Sequence, residues 1–302
     1  MNLASQQRQV MVTFDYEGLW GMPHKGLSYD LPEVTQQLLR VLKHHQAKAV
    51  FFTSSKLFYD YPDTIKQIHD AGHEVGVHGH AHEHLHNLSA QERAAFGQDL
   101  EKACQKLEQL TGRRPVGFRA PYLMGPLFYV PEMYELLAGL GFTWISNREL
   151  RTPEELWRPD RLPFGKVILK IPAVRNLLLA ALNVNLLLHD RPTNLGLLAS
   201  WQWLSQPKPF NRPEGLTEHP LVSPLDCDLL GFPQPAQTSG PAMTTFARQT
   251  ILEDYQRSHN YFNINAHDWI IGTSDRLQIL DEVLRVIRQD DHNQFILPGR
   301  PI

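Results

Sequence analysis

Short β-rich runs alternate with helical patterns along most of this chain, and that alternation is what most limits its fold. Residues 9–14 read as a strand, and residues 32–46 carry helical spacing in Val34, Leu38, Leu39, Val41 and Leu42. Residues 48–53 form a buried-strand run, 62–71 a short helix stopped by Gly72, and 74–77 a third strand. Ser89 and Glu92 make a capping box that opens a long helix, which runs to Thr111 and ends at Gly112. Further strands are expected at 116–118, 142–146, 166–171 and 261–266, with helices at 132–140, 244–258 and 274–289. Such a repeat buries a parallel sheet behind outer helices. With this many units a closed or nearly closed barrel is expected, built as one domain over residues 1–302.

Residues 172–243 break the pattern. They are rich in proline, carry Trp201 and Trp203, and include the apolar run 177–188. The segment is expected to be an irregular insertion over the barrel mouth, either a packed helix with a loop or a lid that handles a glycan or lipid-linked substrate. No apolar run reaches the ~18 residues of a membrane span, so no transmembrane segment is expected. The formal net charge of -3 and the lack of a basic stripe argue against a nucleic-acid partner. Two cysteines, Cys104 and Cys227, make no disulfide framework. The first residues lack the basic start and apolar core of a signal peptide, and a cytoplasmic location is the expectation.

In barrels of this kind the chemistry sits where strands end, and Asp15, His78, Arg119 and His267 all fall there. Strand alternation puts Asp15 and Glu17 on one side and Tyr16 on the other. One such carboxylate can bind a metal while the other takes a proton from water. The run from His78 to His86 holds five histidines at every second position. On a helical turn, His78/His82 and His80/His84 are each spaced to share a face, making half of a zinc-type site. A strand would place all five together, and a solvated metal-buffering tract is the bland alternative. His78 and His82 are preferred because His78 comes straight off the strand and Gly79 permits a sharp turn. Arg119 can keep a nearby carboxylate ionised, and Tyr122, unlike Pro121, has a backbone N–H to offer an oxyanion. Asn263, Asn265 and His267 share one strand face, with His267 positioned as an acid.

Taken together, Phe14-Asp15-x-Glu17, then Glu74-Val75-Gly76-x-His78-Gly79-x-x-His82-x-x-Leu85, then Arg119-Ala120-Pro121-Tyr122, then the late His267, resemble the polysaccharide deacetylase family, the NodB-homology group of carbohydrate esterase family 4. The resemblance covers residues 9–147 well and 260–290 moderately. It implies an α/β fold, a distorted (β/α) barrel of about seven strands. It also implies metal-dependent hydrolysis of an N-acetyl group on a sugar or glycan. By the same resemblance Asp15 is the general base, His78 and His82 bind zinc or a similar divalent ion, Arg119 supports the base, Tyr122 supplies the oxyanion N–H and His267 is the general acid. Two departures stand out. Tyr16 occupies the usual position of a second, metal-binding aspartate, so Glu17 takes that role. The aspartate expected to tune the acid histidine is not evident near Trp144, and Asp160 is a distant candidate. Rival readings are hydrolysis of a non-sugar amide such as a ureide or cyclic imide, a non-catalytic glycan-binding barrel, and a histidine run that merely stores metal.

Overall fold

The computed structural model describes residues 7–19, 29–83, 85, 88–124, 131–146, 208–212, 214–222, 226–230, 240–272 and 276–300. Among these, the central strand β1 (Arg8–Tyr16) is buried from Val10 onward on both faces, as a parallel strand under helices must be. Parallel partners flank it. The strand β2 (Val50–Thr53) pairs with its C-terminal half, and the late strand Tyr261–His267 runs along its other side. From β2 the sheet continues through β3 (Glu74–Val77), β4 (Gly117–Phe118) and β5 (Trp144–Ile145). A hairpin of β6 (Phe210–Asn211) and β7 (Thr217–Glu218) follows, with β7 parallel to β5.

The late strand, β8, closes the ring. Val222, just beyond β7, donates its N–H to the Asn263 carbonyl of β8 at 3.0 Å. The path from β8 through β1 to β5 and β7 therefore contains seven strands, with β6 as a flap on β7. A short strand, β9 (Asn293–Phe295), pairs with the start of β1. The expected distorted (β/α) barrel is the observed architecture.

Helices wrap the outside. The helix α1 (Leu31–His44) starts at Asp30, whose side chain accepts the Glu33 N–H. Two short helices, α2 (Leu57–Asp60) and α3 (Pro62–Asp70), follow β2. The long α4 (Ala90–Thr111) carries both bonds of its capping box and ends at Gly112 with φ 72°. The helix α5 (Pro131–Gly139) joins β4 to β5. Beyond the hairpin come α6 (Asp226–Leu230), α7 (Pro241–Arg257), α8 (Asp268–Ile271) and α9 (Leu277–Arg288). In α9, Ile279, Leu280, Val283, Leu284 and Ile287 form the buried stripe of an amphipathic helix. No helix of the described residues is long and apolar enough to cross a membrane.

One expectation needs correction. Part of the stretch expected to be an irregular insertion, residues 172–243, belongs to the barrel: β6, β7, the closing residues 219–222 and α6 all lie within it. The strand expected at 166–171, the apolar run at 177–188 and both Trp201 and Trp203 lie outside the described residues.

Candidate active site

The parallel register lines up the C-terminal ends of the strands. Asp15 stands opposite His267 across β1 and β8, and Val77, one residue before His78, stands opposite Phe118, one residue before Arg119. The period-two reading of β1 holds. Thr13 and Asp15 point inward to Asn265 and Arg119, whereas the Tyr16 hydroxyl bonds Thr35 of α1 at 2.5 Å.

Glu17, one residue past the strand, is 2% exposed. Its Oε1 lies 3.0 Å from His78 Nε2 and 3.1 Å from His82 Nε2. The donor atoms of these three residues all lie within 4.8 Å of one another. The His78 Nδ1–H donates to the Arg119 carbonyl at 2.9 Å, which leaves the Nε2 lone pair aimed at the carboxylate. A lone pair and a carboxylate oxygen at that distance repel unless a proton or a cation lies between them. Two imidazole nitrogens and one carboxylate converging in this way fit a divalent cation with an open coordination position. Burial works against charge on His78, but Asp15 and Glu17 beside it raise its pKa. Burial likewise opposes charge on Glu17, and its bonds to His78 and His82 prevail and hold it well below the usual carboxylate range.

His78 and His82 do not meet on a helical turn, as i, i+4 spacing suggests. The loop turns sharply at Gly79, with φ 66°, and at His82, with φ 54°. The Glu83 carboxylate accepts the N–H groups of His80 at 3.0 Å and Ala81 at 2.8 Å, drawing the backbone donors away from helical bonding. Of the rival pair, His80 has its Nδ1 2.9 Å from Ser55 Oγ, and His84, like His86, lies outside the described residues.

Asp15 lies in the same opening but is held by different partners. Its Oδ1 accepts from Arg119 at 2.7 Å and its Oδ2 from the Asn265 amide at 3.0 Å. Burial alone would raise its pKa; the Arg119 guanidinium, with His78 and His267, outweighs that and lowers it. His267 Nε2 lies 3.8 Å from Asp15 Oδ2. Its Nδ1–H donates to Asp226 Oδ1 at 2.6 Å, and its backbone N–H to Asp226 Oδ2 at 2.7 Å. Burial pushes the imidazolium pKa down, yet Asp226 drives it up to about 10. Asp226, at the start of α6, is thus the histidine's carboxylate partner, which the sequence did not reveal. Asp160 lies outside the described residues. Tyr122 sits at the rim with its ring 4.4 Å from that of His82, and its φ of 58° marks a strained turn.

Residues 3–143 match the sequence model of the polysaccharide deacetylases. The chain is 33% identical over 86 residues to a peptidoglycan deacetylase of Helicobacter pylori, covering 28% of each protein. It is 35% identical over 94 residues to a chitin deacetylase of Colletotrichum lindemuthianum, covering 30% of this chain and 37% of that protein. The chain thus spans about a third of the length of these relatives. A solved structure from Mycobacterium smegmatis, titled a polysaccharide deacetylase, superposes with a TM-score of 0.63 at 18% identity, covering 99% of this chain and 90% of that one. That likeness is one of fold.

Proposed function

We propose that this chain, whose residues 3–143 match the polysaccharide deacetylase model, is a hydrolase that removes N-acetyl groups from a sugar or glycan. One observation carries the reading. Glu17, His78 and His82 converge on one point, while Asp15 and His267 stand beside it, each with its own charge partner.

In this reading Glu17, His78 and His82 hold a divalent cation, for which zinc suits the donor set. When bound, it supplies the Lewis acidity that polarises an acetyl carbonyl and lowers the pKa of a water. The chain's own residues handle the protons. Asp15, kept ionised by Arg119, takes a proton from water as its oxygen bonds to the acetyl carbon. The Tyr122 N–H is the proposed donor to the oxyanion. His267, kept protonated by Asp226, gives its proton to the departing amine as the C–N bond breaks. The products are acetate and a free amino sugar, and the Asp15 proton then restores His267 through solvent.

The test uses acetylated chitin and peptidoglycan oligosaccharides beside a small panel of ureides and cyclic imides. Asp15→Asn and His267→Ala should bind metal like the parent chain and lose at least about 100-fold in acetate release, since general acid or base catalysis is worth ~10²–10⁴. His78→Ala or His82→Ala should lower the metal content itself. Full acetate release by Asp15→Asn removes it as the base, and turnover confined to the cyclic imides replaces the sugar substrate.

A further inference from the structure

Glu17 presents a mechanical problem. It lies beyond the last residue of β1, so no sheet ladder fixes it, and Gly18 next to it turns the chain with φ 61°. Tyr16, the nearer position, is turned away toward α1. A glutamate there has three side-chain torsions to lose before it can meet two imidazoles.

Two consecutive residues after His267 meet this need. Asp268 is fully buried, and its Oδ1 accepts the Glu17 backbone N–H at 2.8 Å. The Gly18 N–H reaches both Asp268 oxygens, at 3.3 and 3.1 Å. The Tyr29 hydroxyl donates to the far oxygen and ties the carboxylate down from the other side. Trp269 is 3% exposed and donates its indole N–H to Glu17 Oε2 at 3.3 Å. That bond leaves Oε1 for His78 and His82. Asp268 therefore holds the Glu17 backbone, and Trp269 holds its head.

We infer that Asp268 and Trp269 are positioning residues that make Glu17 a metal ligand, compensating for the tyrosine in the strand position before it. The inference rests on the cation site of the preceding section. Such supporting bonds around a metal ligand typically govern ~10–100-fold in affinity. The pair also joins the two halves of the site, because His267, Asp268 and Trp269 follow one another in the chain. The residue proposed as the acid ends β8, and the residues that aim the metal ligand open α8 directly after it.

The experiment measures the dissociation constant of the full chain for Co²⁺ by equilibrium dialysis and reads the visible spectrum of the bound ion. Trp269→Phe keeps an aromatic ring and removes the N–H. It should weaken Co²⁺ by roughly tenfold or more and alter the spectrum. Asp268→Ala should weaken it similarly, with Asp268→Asn, which keeps one oxygen acceptor, in between. Tyr29→Phe is a milder variant should the buried ones fail to fold, and it should show a smaller loss in the same direction. In a Glu17→Gln background, Trp269→Phe should cost little more, because its effect runs through Glu17. Wild-type affinity in both Trp269→Phe and Tyr29→Phe would overturn the inference, as would a Trp269→Phe loss that is just as large in the Glu17→Gln background. A parent chain whose Co²⁺ binding survives His78→Ala would overturn the cation site and, with it, the inference.

Discussion

His267 and Asp15 lie 3.8 Å apart and are assigned opposite proton duties, so their separate partners decide which is charged. Arg119 keeps Asp15 a carboxylate, and Asp226 lifts the His267 pKa to about 10. A histidine pKa raised above its ordinary ~6.5 keeps the proton through neutral pH and releases it only as pH rises toward 10. The alkaline limb of kcat against pH should therefore report His267. Replacing Asp226 by asparagine removes the stabilising charge, so the limb should move to lower pH by about a unit or more, and kcat should fall on the alkaline side first. An alkaline limb unmoved by Asp226→Asn would show that another group controls it. Asp15, His78, Arg119 and His267 were legible because each ends a recognisable strand. Asp226 was not. It heads a five-residue helix in a proline-rich stretch with no period, 41 residues before its partner.

At the scale of the element, capped helices were easier to read than short strands. The Ser89–Glu92 box and Gly112 gave the ends of α4, because a side chain that satisfies orphan N–H groups also marks a boundary. The strands β4 and β5 are two residues each, and what makes them work is a contact no pattern shows. A Cβ on Gly117 would lie 2.3 Å from Cζ2 of Trp144. The indole cannot give way easily, since its N–H donates to Glu74 at 3.1 Å and its ring packs edge-on against Phe52 at 5.3 Å. Gly117→Ala should thus destabilise the protein by about 1–3 kcal/mol, the usual cost of overpacking. Gly139 is the control, because an added Cβ there meets nothing within 4 Å. At that helix position, alanine should be neutral or stabilise by about 0.4–1 kcal/mol. Urea titration of both variants checks the contrast, and equal midpoints would show that β4 is looser against Trp144 than these distances imply.

At the scale of the whole molecule, the barrel was foreseeable from β/α alternation but its closure was not. The closing stretch 219–222 follows a two-residue strand, too short for a periodic signal. Its carbonyls are met from inside the ring: Ser146 Oγ and the Asn263 amide both donate to His219, and the Tyr261 hydroxyl donates to Pro220. Arg119, with no exposed surface, links this closure to the site. Its Nε donates to the Ser146 carbonyl at 2.8 Å, Nη1 to Asp15 at 2.7 Å and Asn265 at 2.5 Å, and Nη2 to Thr13 at 3.1 Å and Ser146 Oγ at 2.7 Å. One planar group thereby joins β1 and β8 to the residue that follows β5, and its five donors are all engaged. Lysine keeps the charge but offers three donors from a single atom, so buried acceptors would lose partners. Arg119→Lys should lower unfolding free energy by about 2–4 kcal/mol, from two lost bonds at ~1–2 kcal/mol each. It should also move the acid limb of kcat to higher pH, because a less firmly paired Asp15 holds its proton longer. Urea titration and a pH–rate profile on the same variant read the two effects separately. If stability falls while the acid limb stays in place, Arg119 closes the barrel without governing the base.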